Sequence, residues 1–168
     1  ISLAPSILLM TTCFLRIVIV LGLLKQALGT QSMPPSQVLL GLALIMTLLV
    51  MGPTLSRVQN EALGPWQRGE VQSYDELWAW ELAKQPLRDF MFAQIEATGN
   101  WSSVYMILNY RGIDTSKPEE LTRAHVDMTS LVPAFVLSEL KVAFLMGFRI
   151  YLPFLVIDMV ISSLLISM

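Results

Sequence analysis

The chain has 168 residues, 54% hydrophobic and only 14% charged, with one cysteine and one histidine. Soluble domains average about 45–50% apolar and about 25% charged residues, so this composition excludes a disordered chain and argues against an ordinary water-soluble enzyme. The charge is also segregated, with eleven acids and six bases in residues 59–132 (net −5) and five bases against Glu139 and Asp158 in the flanks (net +3), as expected of an integral membrane protein with one extramembrane insert.

The first apolar block, Ile7–Leu28, would reach about 33 Å as one helix and could cross a bilayer. Its bases Arg16 and Lys25 lie within the run rather than before it, and no small-residue cleavage site follows, which excludes a secretory signal peptide. Residues 29–37 form a turn around Pro34–Pro35, and a second uncharged block from Val38 to Ser56 is long enough to return. Together they read as a helical hairpin spanning residues 1–58. Lys25 leads a turn without acids while the insert is acidic, so the positive-inside rule places the 29–37 turn in the cytoplasm and the insert outside.

The insert, residues 59–130, is expected to be helical. Tyr74–Glu96 has helical spacing, with Leu77, Trp80, Leu87, Phe90 and Met91 on one stripe and Pro86 as an interruption. Trp101–Tyr110 is a second helical stretch, and Lys117–His125 a short helix opened by Pro118-Glu119-Glu120. The third apolar block, counted as 131–168, is too long for one crossing, and Pro153 with Glu139, Lys141 and Arg149 predicts a break or re-entrant turn near its middle. The fold class is therefore all-α: membrane helical hairpins with a small helical extramembrane insert. The chain opens at Ile1 and stops at Met168 in mid-pattern, which predicts a fragment of a longer protein.

Five ionisable groups fall within apolar stretches: Arg16, Glu139, Lys141, Arg149 and Asp158. Each costs about 2.5–3.5 kcal/mol at the centre of an inserted helix. Glu139 and Lys141 are roughly 200° apart around a helix, and Arg149 and Asp158 roughly 180° apart, so neither pair can close locally. Two readings follow: buried structural pairs within one bundle, or pairs between subunits that fix an oligomer. Nothing in the chain resembles a phosphate loop, a metal cluster, a catalytic constellation or a nucleic-acid surface, and His125 reads as a surface residue in a polar segment. No cofactor or metal is implied. Asn100-Trp101-Ser102 fits the glycosylation triplet, a pattern common by chance.

Three stretches resemble the FliP family of flagellar export-gate proteins, the P component of type III secretion: LRIVIVLGLLKQALGTQSMPPSQVLLGLALIMT (15–47), PAFVLSELKVAFLMGF (133–148) and YLPFLVIDMVISSLLISM (151–168). The SELK sequence at 138–141 fits the flagellar branch. The resemblance implies a non-enzymatic, pore-forming subunit of the flagellar protein export gate in the bacterial inner membrane, at the flagellar basal body. It implies five copies assembled with Q and R subunits, other export-apparatus proteins as neighbours and unfolded proteins in transit. It further implies helices raised out of the usual bilayer position, with Arg16, Glu139, Lys141, Arg149 and Asp158 at intersubunit or buried polar contacts. Family members usually carry a polar residue where this chain has Leu145. They also continue past the position of Met168 into a methionine-rich loop that seals the pore. The competing reading is a self-contained proton-coupled secondary transporter, with Asp158 or Glu139 binding the proton.

Overall fold

The computed structural model describes residues 4–29, 34–69, 76–117 and 121–168, and every regular element among them is helical. In chain order these are α1 (Ala4–Met10), α2 (Phe14–Ala27), α3 (Ser36–Val58), a π-helical turn (Gln59–Leu63), α4 (Gly64–Gln67), α5 (Glu76–Ala97), α6 (Trp101–Tyr110), a 3-10 turn (Arg123–His125) and α7 (Met128–Ser167). Two continuous stretches, Ser36–Gln67 and Met128–Ser167, are long and apolar enough to cross a membrane. With the all-helical content, this agrees with the fold class read from the sequence.

The first apolar block is not one helix. Thr11 Oγ1 donates to the Leu8 carbonyl at 2.8 Å and Thr12 Oγ1 to that of Leu9 at 2.7 Å, while the Phe14 amide donates to Thr12 Oγ1 at 3.2 Å. Two adjacent threonines thus offer the backbone an alternative to the helical ladder, and α1 ends there. At the far end of the second block, α3 passes unbroken through Pro53 and loosens into the π-helical turn only at Gln59–Leu63. Pro65 cannot donate to the Glu61 carbonyl, the bond that a regular helix would need there. Cys13 packs with Met51, and Gly22 and Lys25 lie beside Ser36–Leu40, so α2 and α3 form an antiparallel hairpin.

The break expected near Pro153 does not form: α7 is a single helix of 40 residues, about 60 Å long. A break would have to cap the freed backbone groups, and the bulky flanks Ile150–Leu152 and Phe154–Ile157 offer no glycine, asparagine or serine for it. Proline removes only one ladder bond, so continuing the helix is the cheaper solution.

Helix α5 likewise runs through Pro86, which is buried. It packs with α6 onto the first half of α7, where Met91, Phe92, Ile95, Val104, Leu108 and Val126 share one core with Leu131, Ala134 and Phe135. The core therefore straddles the boundary drawn at residue 130. Trp80, expected on the apolar stripe, is exposed. Gly99 and Gly112 end α5 and α6 at φ +65° and +77°; in each case the following amide reaches five residues back, Asn100 to Ile95 at 2.9 Å and Ile113 to Leu108 at 3.0 Å. This closure needs a left-handed residue, which only glycine supplies without strain. Of the predicted Lys117–His125 helix, the described residues carry the 3-10 turn at its end, held by the Thr122 amide on His125 Nδ1 at 3.1 Å. Residues 30–33 of the predicted turn, the 74–75 start of the insert helix, the Leu77 side chain and Pro118-Glu119-Glu120 lie outside the described residues.

Candidate functional site

The hairpin sets α2 alongside α7, and the pairs Arg16–Glu139 and Leu23–Gly147 place them in parallel register. At the first of these levels three helices meet through polar side chains. Arg16 of α2 donates to Glu139 Oε1 of α7 at 2.5 Å and to Gln94 Oε1 of α5 at 3.2 Å. Glu139 is 1% exposed, and Arg16 Nε and Glu139 Oε2 are buried without a hydrogen-bond partner among the described residues. A charge pair this deep holds helices in register, because any slip would leave a carboxylate unpaired in an apolar interior.

Beside it, at the residue just before Glu139, Ser138 Oγ accepts from the Nδ2 of buried Asn100 at 3.0 Å. The glycosylation triplet is therefore a packing element, with the Asn100 amide turned into the fold rather than towards an enzyme. A third polar contact sits at the start of α7. Arg111, just past α6, reaches Asp127 Oδ1 and Oδ2 at 2.6 and 2.7 Å and Thr129 Oγ1 at 3.0 Å. Asp127 Oδ1 also accepts from the Ser130 amide at 3.1 Å, which makes it the N-cap of α7.

The guanidinium of Arg111, followed by the Ser130 and Thr129 donors, holds the Asp127 carboxyl well below the usual carboxylate range. A depressed folded-state pKa contributes stability that is complete above the unfolded value of about 4 and is lost progressively as pH falls from there through the lower folded-state value. Thermal melts between about pH 5 and pH 2 should therefore show an acid-side loss in the wild type that Asp127→Asn flattens. Equal slopes in the two proteins would remove Asp127 from the account. Because the pair is half exposed, the effect is bounded by the worth of a helix cap, about 1 kcal/mol.

Of the five ionisable residues singled out from the sequence, the structure brings together Arg16 and Glu139, and does so within one chain. Lys141, Arg149 and Asp158 are exposed on α7 and make no ion pair or hydrogen bond among the described residues. Leu145 is 50% exposed on the same helix, and Met168 stands fully exposed at its end. Gln94, Asn100, Ser138, Arg111 and Asp127 were not foreseen. Asp127 carried a signal, an acid followed by Met-Thr-Ser before an apolar run, the pattern of a capped helix start. Among the described residues no three of His, Cys, Asp and Glu converge as metal ligands do.

The family model described as "FliP family" matches residues 1–168, the whole chain. The chain belongs to the FliP family. A protein of Bacillus subtilis named "Flagellar biosynthetic protein FliP" is 46% identical over 167 residues, covering 99% of this chain and 71% of that protein. Similar proteins of the same name from Treponema denticola and Caulobacter vibrioides are 39% and 41% identical, covering 100% and 99% of this chain. The chain spans 59% of the length of each of these two. These relatives are named for flagellar biosynthesis, and two stretches of this chain are long and apolar enough to cross a membrane.

Proposed function

We propose that this FliP-family chain is a pore-forming subunit of the flagellar protein export gate in the bacterial inner membrane, passing unfolded flagellar proteins. Its partners are further copies of itself, five in all, with Q- and R-type gate subunits and the rest of the export apparatus. The observation that carries this reading, beside family membership, is the condition of α7. It is about twice as long as a hydrocarbon core of about 30 Å is thick, and it presents Lys141, Arg149 and Asp158 outward with no partner among the described residues. Charges on a bare apolar helix are stable only where neighbours or water meet them. An assembly of copies around a polar path supplies both.

Native mass spectrometry of the full-length protein, co-expressed with its Q and R neighbours and extracted in mild detergent, tests this. The expected result is one discrete complex with five copies of this chain. A monomer or dimer that ignores those neighbours would overturn the gate reading.

A further inference from the structure

The α2–α3 hairpin holds an open groove on the side turned away from α7. Val18, Gly22 and Lys25 fall at i, i+4 and i+7 on one face of α2, roughly 200° round from the Arg16–Leu23 face that meets α7. Across the groove from them stand Ser36, Gln37, Leu39 and Leu40 of α3. The cavity measures about 380 Å³, within the range of about 300–1,000 Å³ that small-molecule sites occupy. Its lining changes character along its length. Val18, Gly22, Leu39 and Leu40 make an apolar slot, and Lys25, Ser36 and Gln37 make a polar end beside the turn of the hairpin.

Two features define what such a groove takes. The first is charge. Residues 1–58 carry Arg16, Lys25 and Arg57 and no acid, so the polar end is cationic. The N-terminus of the 23-residue α3 adds the positive end of its dipole there, and its N-cap, Pro35, makes no side-chain bond to the first amides. The second is Gly22. Glycine weakens a helix relative to alanine and is kept where a positive φ or a close approach requires it. Gly22 meets neither condition. It lies inside α2 without a positive φ, and a Cβ there would meet nothing within 4 Å, whereas one at Gly147 would run into Leu23. What its missing side chain leaves is depth in the groove. An apolar slot with a cationic end complements an anionic amphiphile. We infer that the groove binds an anionic phospholipid, with the phosphate at Lys25 and the start of α3 and one acyl chain along Val18, Gly22, Leu39 and Leu40. The positive-inside rule sets this end of the hairpin at the cytoplasmic leaflet, whose anionic lipids attract basic side chains. A zwitterionic lipid fills the slot equally but gains less at Lys25.

This inference rests on the membrane location in the reading above, and not on the pore or the number of copies. The test is native mass spectrometry of the full-length protein with its Q and R neighbours, taken from membranes in mild detergent and titrated with phosphatidylglycerol or phosphatidylcholine. Wild type is expected to hold phosphatidylglycerol about fivefold more tightly than phosphatidylcholine, the worth of one basic side chain at an anionic headgroup. Lys25→Gln should erase that preference while changing phosphatidylcholine binding far less. Gly22→Leu should fill the slot and cut retention of both lipids by at least about tenfold. Its melting temperature should not fall, since the space over Gly22 is open and leucine favours a helix over glycine. Equal retention of the two lipids, or a preference that survives Lys25→Gln, would overturn the site. A complex that sheds all lipid while the isolated subunit keeps it would overturn it too, because neighbouring subunits would then cover the groove. Lipid held with this selectivity by a subunit that forms no five-copy complex would support the groove and sink the gate reading instead. Protein recovered outside the membrane fraction would overturn the membrane location, and the groove with it.

Discussion

Glu139→Ala is expected to destabilise the chain by about 3–5 kcal/mol, the cost of leaving the opposite charge of a buried pair uncompensated. Arg16 would then lie among α2, α5 and α7 with Gln94 as its one remaining partner among the described residues. Replacing both charges, as Arg16→Met with Glu139→Leu, should recover most of that loss, because two buried ions cost as much in desolvation as their attraction returns. Glu139→Gln should fall between, since an amide keeps the shape and can still accept from Arg16. Thermal unfolding in detergent, followed by circular dichroism, checks all three. If Glu139→Ala melted within about 1 kcal/mol of wild type, water would be reaching the site and the pair would not be the register device argued above. The ordering also separates two roles for the cluster. A clamp within the subunit predicts lost monomer stability before any lost assembly, whereas a contact between subunits predicts the reverse. The intrachain bond between Arg16 and Glu139 favours the first.

That pair marks the limit of what local sequence could reveal. Arg16 and Glu139 stood out as charges in apolar runs, which says that partners must exist but not which ones, since 123 residues separate them. Their meeting depends on α2 lying parallel to α7, a consequence of packing that no periodicity records. Gln94 gave less warning still, because a polar residue in a polar insert is the unremarked case, and Asn100 stood out only as part of a glycosylation triplet. By contrast, α6 appeared with the bounds its apolar spacing implied, and α3 and α5 followed their apolar runs to within a few residues. The errors fell where side-chain signals were weighed without the backbone hydrogen bonds that a break must close. Pro153 suggested a break, but a break needs capping residues as well as a proline, and none stand beside it. Thr11 and Thr12 drew no attention in an apolar run, yet their hydroxyls end α1. In both places the backbone hydrogen-bond account, not hydrophobicity, decides the outcome.

The same account bears on how closely α2 and α7 approach, and Gly147 is where this can be measured. A Cβ at residue 147 would lie 2.1 Å from Leu23 Cδ1 and 3.1 Å from both Leu23 Cβ and Cγ. The methyl could swing aside, but the Cβ and Cγ distances leave little space for the stem of the side chain. Two effects of opposite sign compete in Gly147→Ala. Alanine favours a helix over glycine by about 0.5–1 kcal/mol, and overpacking costs about 1–3 kcal/mol. The expected result is therefore a net loss, and a larger one for Gly147→Val. Leu23→Ala opens the space, so in the double variant Gly147→Ala should become neutral or stabilising relative to Leu23→Ala alone. The cycle should show a coupling of about 0.5–3 kcal/mol, as residues in direct contact do. Thermal melts of the four proteins give the cycle. A Gly147→Ala protein more stable than wild type, with no coupling to Leu23, would mean that the two helices stand further apart than this. The consequence would reach beyond one glycine, because the parallel register of α2 on α7 also places the end of the hairpin near residue 151. A looser contact would free that level.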